Sequence, residues 1–141
     1  MHIEVLFRAI LFRILDQWLG SRVALLLSSL LFGLAHVPGE VVTMLAITNT
    51  VVAGVMFTAA YMLTRRLWPC IGIHAAWNYT LGSIFSIAVS GNQSSAGLIN
   101  GTLTGPDWLT GGAYGLEASV GTLLVLIVLS AAFLWPRTGR S

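Results

Sequence analysis

Three pairs of residues in this sequence carry chemistry at helical spacing. The stretch "IEVLFRA" places Glu4 four residues before Arg8, "FGLAH" places Phe32 four before His36, and "HAAWN" places His74 four before Asn78. Residues four apart share one face of an α-helix. A carboxylate beside a histidine can activate water, by general-base action or through a bound metal. A second histidine with an asparagine on its face can donate hydrogen bonds to an oxyanion. Together these are parts for attack of water on an amide carbonyl. Glu4, His36 and His74 would also be the donors for a catalytic divalent ion such as Zn, whereas the Cys and His spacings of a structural zinc site are absent. No Gly-x-Ser-x-Gly elbow is present, so serine hydrolysis by that route has no support.

Each pair also has a bland reading. Glu4 and Arg8 can be a buried ion pair between helices, and His36 a helix-end histidine. His74 and Asn78 can be interhelical hydrogen-bond glue, as Asn49 is expected to be. Phe32 reads as packing. What separates the sharp reading from the bland one is whether the elements bring these residues to one place.

Those elements are membrane-like. Of 141 residues, 56% are hydrophobic and only 9% are charged, too few charges to solvate a globular surface. The expected fold is all-α, a polytopic transmembrane bundle of about five helical segments forming one domain over 1–141. Hydrophobic runs and their breakers predict helices over 3–19, 22–37, 41–63, 67–90 and 118–135. A Gly, Ser, Thr and Asn-rich loop over 91–116 should lie on the non-cytoplasmic side. No internal repeat is visible, which argues against a transporter built from duplicated halves. The seven cationic residues are all arginines and form no clustered basic face, so a nucleic-acid partner is not expected. The single cysteine, Cys70, excludes an intrachain disulfide framework.

Alternating the helices puts Arg13, Arg22, Arg65, Arg66, Arg137 and Arg140 at one face and Glu40, Asp107 and Glu117 at the other. By the positive-inside rule the arginine-rich loops and the C-terminus are cytoplasmic, in a multi-pass protein of the cell membrane. Depth follows at about 1.5 Å per residue from that boundary. His36 then lies about 21 Å in, His74 and Asn78 about 12 and 18 Å, and Glu4 about 18 Å. Polar and ionisable residues on three helices thus share one slab roughly 9 Å thick, allowing for tilt. A chain beginning near Glu4 would start near the middle of a bilayer core about 30 Å thick, so upstream helices are expected to be missing.

At these residues the sequence resembles the CPBP family, the CAAX-protease and bacteriocin-processing intramembrane proteases also called the ABI family. Its motifs are a Glu-Glu-x-x-x-Arg helix, a Phe-x-x-x-His helix and a His-x-x-x-Asn/Asp helix. They resemble 3–9, 32–36 and 74–78 here, in that order, and the loop "LTGPDWLTGGAYGLEAS" at 103–119 is also similar to bacterial members. The resemblance implies an intramembrane endopeptidase, some members being described as metalloproteases. Its substrates would be prenylated proteins or peptides, in CAAX-type cleavage or in bacteriocin processing and immunity. It further implies that Glu4, His36, His74 and Asn78 are catalytic. His36 would orient water, His74 and Asn78 would stabilise the tetrahedral intermediate, and Arg8 would pair with Glu4. One departure stands out: the first Glu of the pair is replaced by Ile3, which can neither accept a proton nor bind a metal. Either Glu4 takes over that role, or the chain is a non-catalytic pseudoprotease that binds peptides or partner membrane proteins.

Overall fold

The computed structural model describes residues 2–36, 42–93 and 97–135 and is all-helical over them, with one isolated β-bridge between Val89 and Asn92. The expected charges Glu40, Arg137 and Arg140, and the Pro38-Gly39 helix stop, lie outside the described residues. Helix α1 covers 2–19 and changes register inside: His2–Glu4 is α-helical, Val5–Phe12 is π-helical, and Arg13–Leu19 is α-helical again. Gly20, at φ +79°, turns the chain into α2, Ser21–Leu34. Ser21 Oγ donates to Asp16 Oδ1 at 2.5 Å across that turn. Helix α3 is Met44–Thr64, capped by the Thr43 hydroxyl, which accepts from the Ala46 N–H at 3.1 Å.

Helix α4 covers 68–84, with Pro69 in its first turn, where a missing N–H costs nothing. It is α-helical over Trp68–Asn78 and π-helical over Tyr79–Ile84. A short α5, Asp107–Thr110, and 3₁₀ turns at Gly112–Tyr114 and Leu116–Ala118 lead into α6, Val120–Leu134. Both polar helices therefore widen directly after a candidate residue, α1 after Glu4 and α4 after Asn78. π-Helical segments are rare and favour functional sites, because the extra residue per turn re-aims the side chains around it.

Helix boundaries differ from the sequence expectation at two places. The segment expected over 67–90 stops at Ile84, and the chain then bends through Ser86 and Ser90, both at positive φ. The segment expected over 22–37 ends its regular helix at Leu34. Of the five expected spans, one helix among the described residues, Met44–Thr64, is long and apolar enough to cross a membrane. Helices α2 and α6 are apolar but short, about 21–22 Å at 1.5 Å per residue against a core of about 30 Å. Helix α1 fails on composition instead, since Glu4, Arg8, Arg13 and Asp16 all fall within it.

Helix α3 is the hub, packing against α2 on one side and α6 on the other. Phe7, Phe12, Phe32, Met56, Phe57 and Tyr61 form the central core, with Ile3 packed against it. Close approach of α2 and α3 depends on Gly54, where an added Cβ would lie 2.9 Å from Ser29 Cα. Backbone cannot yield as a flexible side chain does, so Gly54→Val should destabilise the fold by about 1–3 kcal/mol through overpacking. Thermal unfolding of the purified protein in detergent measures this, and an unchanged midpoint would contradict the close packing.

Candidate active site

Glu4 and Arg8 are both fully buried, at 0% and 1% exposure. Arg8 Nη1 stands 3.2 Å from Glu4 Oε2. Neither atom meets hydrogen-bond geometry in that contact, so the attraction is Coulombic rather than directional. The guanidinium finds further partners on other helices. Its Nη2 donates to the Gly54 carbonyl at 3.1 Å, and its centre lies 4.3 Å from the middle of the Phe32 ring. An aromatic face attracts a cation most strongly where water is excluded. Phe32 therefore does more than pack. It contacts Arg8, meets Phe7 edge-on at 5.3 Å, and lies 4.7 Å from the His36 ring.

The other oxygen of Glu4 reaches across to α4. His74 Nδ1 and Glu4 Oε1 are 2.8 Å apart, and the His74 ring stacks on Phe57 at 5.3 Å with 19° between planes. A carboxylate beside a cation is an acceptor, so Nδ1 carries the hydrogen in this contact. In the neutral ring Nε2 then holds the lone pair. His36 is fixed the same way: its Nδ1 donates to the Phe32 carbonyl at 2.8 Å, which leaves Nε2 as acceptor. A backbone carbonyl can only accept, so that tautomer follows from the partner.

The structure thus brings Glu4, Arg8 and His74 into direct contact, from residues far apart in the chain. His36 makes no hydrogen bond or ion pair with Glu4 among the described residues. It joins the group through Phe32 and through a cavity of about 110 Å³ that His36 and His74 both line. Phe57, Met56, Trp77 and Leu126 contribute to a mostly apolar wall. Asn78 lies one turn beyond His74 and does not line the cavity. Its Oδ1 is buried without a hydrogen-bond partner among the described residues. Ile3 offers only apolar contact to the core.

The donors expected for a divalent ion can be tested on this geometry. Among the described residues, no three His, Cys, Asp or Glu side chains are gathered closely enough to share one ion. Glu4 and His74 are turned on each other and His36 stands apart from both. As arranged, the only polar contact among these three donors within the described residues is that between Glu4 and His74.

Glu117 is the residue that sequence reasoning placed elsewhere, as an outer-face charge. It lines the same cavity as the two histidines. Its Oε1 accepts from Trp77 Nε1 at 2.9 Å, and its Oε2 accepts from the Ser90 N–H at 2.5 Å and from Ser90 Oγ at 2.9 Å. Asn49 proves to be glue for this strap, donating to the carbonyls of Glu117 at 2.7 Å and Ser119 at 2.8 Å. No sequence spacing signals the Glu117 contacts. The only hint is Trp77, since a buried indole N–H needs an acceptor.

A family model described as type II CAAX prenyl endopeptidase Rce1-like matches residues 3–80. No curated protein and no solved structure gives a significant match. The matched stretch is more than half of the chain; it holds Glu4, Arg8, His36, His74 and Asn78 and stops before Glu117.

The buried charge pair generates a stability prediction. Arg8→Met leaves Glu4 without its cationic partner in an apolar interior and should cost about 3–5 kcal/mol. Adding Glu4→Gln should recover much of that loss, because removing both charges of a buried pair is often close to neutral. Unfolding midpoints of the single and double variants measure it; additive losses would show that the two side chains are not coupled.

Proposed function

The chain belongs to the type II CAAX prenyl endopeptidase Rce1-like family, and on that premise we propose that it is an intramembrane endopeptidase hydrolysing peptide bonds in prenylated proteins or membrane-delivered peptides. Bacteriocin processing or immunity is the peptide variant of the same chemistry. The observation that carries the reading is the 2.8 Å contact between Glu4 Oε1 and His74 Nδ1, with His74 on the wall of a cavity. A multi-pass placement in the cell membrane, with the arginine-rich turns cytoplasmic, accompanies it. Two features support that placement. The turns after α1 and α3 sit at one end of the bundle, where Arg65 lies 3.7 Å from Asp16. The outer surfaces of α2 and α6 expose Leu26, Leu30, Leu34, Leu124 and Val128 to the surroundings.

In this reading Glu4 takes the place of the carboxylate missing at Ile3, acting through His74 rather than on water itself. Glu4 holds the imidazole by Nδ1 and stabilises the positive charge that develops on it. Arg8 pairs with the other oxygen of Glu4 at 3.2 Å. Nε2 of His74 removes a proton from water, and the resulting hydroxide attacks the amide carbonyl. Nε2 of His36 accepts the second water hydrogen and orients the nucleophile. Asn78, one turn beyond His74 and without a side-chain hydrogen bond among the described residues, turns toward the cavity when substrate binds and donates to the oxyanion. Collapse breaks the C–N bond, and the proton on His74 passes to the leaving amine. This arrangement moves His74 from oxyanion donor to base, because the Glu4 contact directs the lone pair to Nε2.

Ile3 favours a second reading, since its side chain packs against the apolar core at the position where the family motif carries its first Glu. There the chain binds peptides or partner membrane proteins without cleaving them.

Hydrolysis of a prenylated peptide by the purified chain in nanodiscs decides between these. On the catalytic reading, His74→Ala should lower kcat by about 10²–10⁴-fold through loss of the base. Asn78→Ala should lower it by roughly 10²–10³-fold through loss of one oxyanion donor. Turnover unchanged in both His36→Ala and His74→Ala would sink the mechanism. No turnover in the native sequence, with turnover gained on Ile3→Glu, would establish the pseudoprotease.

A further inference from the structure

The wall of the cavity contributed by the strap before α6 is built around one carboxylate. Glu117 belongs to that strap, Trp77 to α4, and Ser90 to the bend that follows α4. The carboxylate gathers all three segments through three hydrogen bonds. Trp77 is one turn from His74 and lines the cavity with it. The strap is held from behind by Asn49 of α3.

Two further observations show that this junction is under constraint. Ser90 adopts φ +49°, a left-handed conformation uncommon for a residue with a Cβ. Such backbone persists where its surroundings over-determine it. Here the Ser90 N–H and hydroxyl are both taken by Glu117 Oε2, and the next amide, Gly91 N–H, donates to the Tyr114 carbonyl at 3.0 Å. Gly115 allows the strap to lie directly on the bend, since a Cβ there would approach within 2.1 Å of the Ala88 carbonyl oxygen.

The chemistry of the junction is specific. Indole and backbone N–H groups only donate, and the serine hydroxyl donates here as well, so the residue between them must accept at both ends. A carboxylate does this and a carboxamide does not. Glutamine would satisfy one side and turn its own N–H₂ against an N–H on the other. A carboxylate already accepting three hydrogen bonds is also a weakened base toward water.

We propose that Glu117 is a positioning residue of the reaction site: its carboxylate clamps the 88–91 bend and Trp77 into one wall of the cavity, opposite no catalytic proton of its own, and so sets which substrates fit. The proposal rests on the hydrolytic reading above for its kinetic consequence but not for its structural one.

Hydrogen exchange and peptide kinetics on the full chain in nanodiscs test it together. In Glu117→Gln, amide exchange over 88–93 should quicken by about tenfold or more as the Ser90 N–H is released, with α1 unaffected. KM for a prenylated peptide should rise about tenfold while kcat stays within about twofold, since uniform binding is lost and chemistry is not. Trp77→Phe should raise KM by a smaller factor. The double variant should return to within about threefold of native KM, because without the indole N–H the glutamine oxygen is free to turn to the Ser90 N–H. A collapse of kcat at constant KM that Trp77→Phe does not relieve would make Glu117 a proton carrier and overturn the proposal. Unchanged exchange over 88–93 would overturn it equally. If the native chain binds the peptide without cleaving it, the hydrolytic reading fails alone. The exchange result and the peptide Kd, expected to rise by the same factor, then decide on Glu117.

Discussion

A guanidinium cannot be buried in an apolar bundle unless other groups replace its water, and the structure around α1 is an answer to that requirement. Arg8 receives one carboxylate from its own helix, one backbone carbonyl from α3 and one aromatic face from α2. Each comes from a different direction, so satisfying the charge fixes three helices relative to one another. The arrangement leaves some of its polar atoms without hydrogen bonds, among them Arg8 Nε and Glu4 Oε2. For the cation, the ring faces of Phe32 and Phe57, 4.3 and 5.3 Å from the guanidinium centre, are part of the compensation. Stability here comes from pairing the charges, not from burying them, because desolvation alone would oppose the fold.

The same requirement organises the site. Glu4 has two oxygens, and the one not facing Arg8 is held 2.8 Å from His74. A carboxylate so placed fixes both the ring orientation and the tautomer of the histidine, which preorganisation for acid–base chemistry demands. The cavity beside it is closed by a wall of different character. On one side are imidazoles backed by a buried ion pair. On the other is a strap held by Asn49, whose Glu117 ties it to a strained serine in the bend after α4. Neither wall belongs to a single helix: α2, α3, α4, α6 and the strap all contribute to the lining, and α1 supports it from behind through Glu4 on His74.

Much of this organisation is legible in the residues themselves, and the part that is not has identifiable causes. Counting from the arginine-rich turns puts Glu4 and His74 in one slab because helices rise by a constant amount per residue. Counting cannot give rotation about a helix axis once the register changes, and α1 becomes π-helical immediately after Glu4. Phe32 reads as packing because hydrophobicity is all its letter conveys, whereas its ring face also serves a cation. Glu117 reads as a loop charge because its partners, Trp77 and Ser90, are distant in the chain and reach it only after α4 has ended at Ile84 and the bend has formed.

Sequence by itself determined that the chain is helical and apolar, and which few polar residues it carries at helical spacing, since both follow from local periodicity and composition. It also determined, through three motifs in order, the family to which residues 3–80 belong. Tertiary structure alone decided which histidine the carboxylate would meet, that Ile3 would face the core, and that a second carboxylate, Glu117, would line the cavity. Those outcomes depend on how helices rotate and cross to satisfy a buried charge, a property of the assembled bundle that no single segment contains.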